Sequence, residues 1–119
     1  MRTKKEELFN KCLKKWVSKT WAGWWKVDVV YKTAHEFNKI DSGRYAGAVA
    51  VCETRWEYME ALITVNSDAL EEQNEDDIEY LALHELMHVF LNEMREEGIE
   101  HEERVATFLA RSFLTAVKK

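Results

Sequence analysis

The chain has no proline, only four glycines and only two cysteines in 119 residues. Without proline it is neither a Pro-rich nor a collagen-like scaffold, and so few glycines exclude collagen a second time. Two cysteines cannot staple a disulfide framework. No run approaches the ~20 apolar residues of a membrane span. The opening segment MRTKKEELFNKCLKKW carries charges throughout and has no apolar h-region, so no secretory signal is expected there. On that ground the expected location is cytoplasmic, with Cys12 and Cys52 as buried free thiols.

What is present is enough for a core. Hydrophobic residues make up 46% and aromatics 12%, and the length suits a single domain spanning 1–119. The net charge of −5 argues against a general nucleic-acid binder. That average hides a segregation, because residues 1–39 carry a net +6 while residues 71–103 carry a net −12. An acidic stretch that also contains histidines raises the question of a metal.

Hydrophobic spacing gives the order of elements. Leu8, Cys12, Leu13, Trp16, Val17 and Thr20 recur at helical spacing, with lysines on the other faces, so residues 4–19 read as an amphipathic helix. A helix packed on a sheet with a solvated lysine face is preferred here to a membrane-surface element. After Gly23 the period changes to two, with Trp25, Val27, Val29 and Tyr31 on one face of a half-solvated strand. Asp41-Ser42-Gly43 signals a turn, and strands are expected at about 46–54 and 58–66. Asp76 and Asp77 mark a helix N-terminus, and Ile78, Leu81, Ala82, Leu86, Val89 and Phe90 form its apolar stripe. A last helix, about 98–117, carries Ala106, Leu109, Ala110, Phe113 and Val117 on one face. The expected fold is α+β: an N-terminal helix, a three-stranded, mostly antiparallel sheet, then two helices.

His84-Glu85-Leu86-Met87-His88 lies inside the first of those two helices. Residues at i and i+4 share a face about 6 Å apart along the axis, close enough for both imidazoles to bind one tetrahedral Zn²⁺. Glu85 then reaches a metal-bound water rather than the metal, where it serves as general base and passes the proton to a leaving amine. Leu81-Ala82-Leu83 and Val89-Phe90-Leu91 flank the motif. Two histidines and a glutamate are not placed in so apolar a stripe without a use for them.

The segment LALHELMHVFL resembles the active-site helix of the zincin metallopeptidases, over about residues 45–117 and specifically at the motif. The resemblance implies a minimal zincin-like domain that hydrolyses a peptide bond in a protein or peptide substrate, such as a regulatory protein, while the charge balance and the helix reading above lead us to expect neither nucleic acid nor a membrane among its partners. It also implies that an extended substrate pairs with the 58–66 strand. Leu91 and Met94 stand where metzincins carry glycine and histidine, which excludes that branch. Gluzincins take a third ligand, a glutamate, from the following helix. The candidates are Glu100, His101, Glu102 and Glu103. Projected at ~100° per residue, Glu102 falls near the centre of the apolar face, with Glu103 at its edge. Glu102 is therefore the expected ligand and Glu103 the reserve, provided the first helix ends near Leu91-Asn92. The chain is similar to small phage and bacterial one-domain metallopeptidases of the ImmA/IrrE type, with HEERVATFLARSFL in the position of their third-ligand segment. The alternative is a zinc-stabilised protein-binding module without catalysis. His35, Tyr58 and Tyr80 are secondary candidates for transition-state stabilisation, and a surface role is preferred for His35.

Overall fold

The computed structural model describes residues 2–20, 25–91 and 102–117. Helix α1 spans Lys4–Lys19 and opens on a capping box, in which the Thr3 side chain accepts from the Glu6 amide and Glu6 reaches back to the Thr3 amide. Its buried residues Glu6, Phe9, Cys12, Leu13 and Trp16 follow the three-four spacing that turns one face to the core. Strand β1 (Lys26–Lys32) alternates exposed and half-buried positions, as its period of two requires. A short helix α2 (Ala34–Phe37) and a 3-10 turn (Ile40–Gly43) lead to strands β2 (Ala50–Arg55) and β3 (Glu60–Asn66). Helix α3 (Ser67–Glu71), helix α4 (Glu75–Phe90) and helix α5 (Glu102–Val117) complete the described chain.

The architecture is α+β, in the expected order of helix, strands and helices. The sheet is mixed and ordered β1-β3-β2. β2 pairs antiparallel with β3, Cys52 opposite Ile63, whereas β1 runs parallel to β3, Val29 opposite Ile63. The antiparallel expectation therefore holds for one of the two pairs. After β1 the chain crosses to the far edge, and the β2–β3 turn returns β3 into the middle. This order corrects one reading. β3 is hydrogen-bonded on both sides, so the 58–66 strand has no edge to offer a substrate, and the edge on that side belongs to β2.

α4 is the central helix. Asn74 caps it by accepting from the Asp77 amide at 2.8 Å, and Glu75, Asp76 and Asp77 fill the first turn, where carboxylates suit the helix dipole. It packs against α1, β2 and α5, so every residue from Ala82 to Val89 is buried, more than a single stripe. The Trp16 indole donates to Glu79 at 3.0 Å and fastens α1 to it. On α5 only Ala106 and Ala110 are buried, small residues that let the helix approach closely, while Phe113 and Val117 remain exposed. Among the described residues, no helix is long and apolar enough to cross a membrane.

Two expectations follow from the core. Ile63 is fully buried at the centre of β3, so Ile63→Ala should cost about 2–5 kcal/mol in urea unfolding through lost contacts and a residual cavity. Cys12 and Cys52 are buried and outside any disulfide. Burial, reinforced by the Glu79 charge, raises the Cys12 pKa above the usual thiol value. A thiol reagent at neutral pH should therefore label Cys12 only as fast as the protein opens, and urea should accelerate labelling sharply.

Candidate metal centre

α4 carries His84, Glu85 and His88 within its last two turns, all buried, at 8%, 4% and 6% exposure. The two imidazole centroids are 5.0 Å apart with their planes nearly perpendicular. One potential ligand atom from each of the three residues lies within 4.8 Å of the others, a group that could hold a metal ion. α4 stops at Phe90, with the Leu91 amide bonding back to the Met87 and His88 carbonyls. The helix therefore ends where a ligand from the following helix requires. Glu100 and His101 lie outside the described residues.

The first turn of α5 meets this group. The Glu103 carboxylate spans both rings, Oε1 at 2.8 Å from His84 Nε2 and Oε2 at 3.1 Å from His88 Nε2. Glu102 takes the other side, bonding through Oε2 to His88 Nδ1. The helical projection anticipates the degree of burial, since the Glu102 side chain is 12% exposed and that of Glu103 73%. Contact with the face shared by the two rings falls to Glu103. One turn further on, Thr107 Oγ1 lies 3.3 Å from His84 Nε2.

His84 Nδ1 is 3.3 Å from Glu85 Oε2. Burial pulls the His84 pKa down, but bonds and charge from Glu85 and Glu103 more than offset it, so the imidazole is raised above its usual value. The same surroundings that favour a proton on His84 favour a metal cation among these atoms. The Tyr80 ring stands 5.6 Å from the His84 ring, and the Arg111 guanidinium lies over Tyr80, 5.2 Å from its ring centroid.

A cavity of about 420 Å³ opens beside the centre, and Glu85, His88 and Glu103 are among the residues that line it. Ala50, Val51 and Cys52 of the β2 edge line it further, together with Ala48. Arg44 and Tyr45 complete the lining, and neither was singled out from the sequence. The Asp41-Ser42-Gly43 turn signal marked their loop, but only the β1-β3-β2 order brings that loop to the histidines. His35 on α2 is exposed and contributes to neither the metal group nor the cavity lining, and Tyr58 is 70% exposed. Comparison with family models, curated proteins and solved structures finds no match to this chain.

Proposed function

We propose that the chain is a zinc-dependent peptidase in which His84, His88 and Glu103 hold the metal and Glu85 moves the proton. The observation that carries this reading is the convergence of both Nε2 atoms on the single Glu103 carboxylate, beside a cavity that Glu85 also lines. Two imidazole nitrogens and a carboxylate oxygen form a donor set suited to catalytic zinc. Glu103 becomes the third ligand in place of Glu102. Glu102 bonds the Nδ1 of His88 and so fixes that ring's tautomer and orientation, the usual role of a carboxylate behind a ligating histidine.

Bound zinc would polarise the scissile carbonyl and lower the pKa of a water. Glu85, buried at the cavity wall, accepts the proton of the attacking water and returns it to the leaving amine. Among the described residues no strand pairs with the outer edge of β2, so an extended peptide could add there and lie along the cavity that Glu85 lines. The cavity also favours hydrolysis over the alternative of a zinc-stabilised module without a cleft. A chelator should abolish cleavage of an unstructured protein such as casein, and stoichiometric zinc should restore it. Cleavage that persists after the metal has been removed to background would defeat the reading.

A further inference from the structure

We propose that Arg44 makes this site selective for peptides that place a carboxylate in the cavity it shares with Glu85, His88 and Glu103. The inference rests on the peptide-binding cleft proposed above and names the substrate class it takes. Among the described residues lining the cavity, Arg44 is the one cation. The same lining holds two acids, Glu85 and Glu103, and the short, uncharged side chains of Ala48, Ala50, Val51 and Cys52. A peptide held in this cavity therefore meets two acids, an imidazole, an uncharged stretch of wall and a single guanidinium. The anion that peptides carry is a carboxylate, and a guanidinium offers it two parallel N–H donors.

Two observations show that Arg44 is restrained, although its side chain is 71% exposed. Its Cζ lies 5.6 Å from the Tyr45 ring centroid, a stacking distance that restrains the fork. The backbone beneath it is fixed in costly geometry, with Asp41 (φ 50°) and Ser42 (φ 56°) both left-handed without being glycine, followed by Gly43 at φ 86°. Strain of this kind persists where the surroundings over-determine it, and it concentrates at ligand-binding positions. The Arg44 amide closes the turn on the Asp41 carbonyl at 3.1 Å. The Arg44 side chain reaches Asp41 at 3.4 Å, through one nitrogen and with both side chains largely exposed. A substrate carboxylate can displace so long and solvated a contact at little cost.

The carboxylate has two sources, an internal Asp or Glu side chain and a free C-terminus. Three N-acetylated hexapeptides of alanine and serine separate them: one with an internal Glu and an amidated end, one with Gln and a free acid end, and one with Gln and an amidated end. Calorimetric titration of each into the zinc-loaded E85Q chain measures binding without turnover. At least one carboxylate peptide should bind about 10–100-fold more tightly than the all-amide peptide. Adding R44Q should erase that difference, while R44K should keep part of it. The peptide that shows the preference identifies the source. Equal binding of all three, no binding of any, or a preference that survives R44Q would overturn the proposal. Cleavage by the wild-type chain is measured in parallel. An Arg44-dependent preference without any cleavage leaves the Arg44 assignment standing and defeats the hydrolytic reading instead.

Discussion

Glu85→Gln is expected to keep its zinc and to lose peptide cleavage by about 10²–10⁴-fold, or roughly 3–5.5 kcal/mol in the barrier. The change is nearly isosteric. At 4% exposure Glu85 has little room for a larger group, and an amide retains an oxygen that can accept from His84 Nδ1, 3.3 Å from the present carboxylate. What the amide cannot do is take a proton from water at neutral pH. Metal content by elemental analysis and the rate of peptide cleavage must therefore separate in this variant. A rate equal to wild type would remove Glu85 from the chemistry. Loss of the metal would place Glu85 among the ligands, a geometry that its closeness to the histidine nitrogens makes a real competitor.

The second large effect distinguishes two adjacent glutamates by the ring nitrogen each one meets. Glu103→Ala removes the carboxylate that spans both Nε2 atoms and should weaken zinc affinity by more than a hundredfold. Glu102→Gln alters the partner of His88 Nδ1 and should fall within the ~10–100-fold typical of groups that orient a ligand without touching the metal. Competition titrations with a zinc chelator measure both. The reverse order of effects would return Glu102 to the position of third ligand. Glu103 is largely exposed and lies in the first turn of α5, so its removal should leave the apolar core intact and the loss should read as a change in binding.

How far such a site is legible in sequence depends on whether its partners are local. Residues four apart on one helix must share a face, so the pairing of His84 with His88 follows from their spacing alone. The bounds of α1 follow from its charge and apolar periodicity, and α1 begins and ends where that pattern does. The choice between Glu102 and Glu103 is another matter. A helical wheel ranks residues by depth in the interface, and it ranks these two correctly. Ligation depends on which nitrogen of a ring on another helix a side chain meets, and that is set by the packing of α5 against α4 through Ala106 and Ala110.

The sheet shows the same limit. Alternation in 58–66 identifies a strand, but it does not say whether that strand lies at an edge. Ala61, Ile63, Thr64 and Val65 are all buried, and a strand buried on both faces near its end is a signal of a central position. The parallel pairing of β1 with β3 follows from the path of the chain between them, which local pattern does not encode. For the same reason Arg44 and Tyr45 passed as ordinary loop residues, since they reach the cavity only because β2 lies beside α4.

Elemental analysis of the purified chain, after equilibration with a slight excess of zinc and gel filtration, tests the central claim most directly. The arrangement of His84, His88 and Glu103 predicts one zinc per chain, reduced to background in a variant carrying both His84→Ala and His88→Ala. A wild-type chain that emerges without zinc, or a double variant that retains it in full, would contradict the claim that this helix pair is a metal centre.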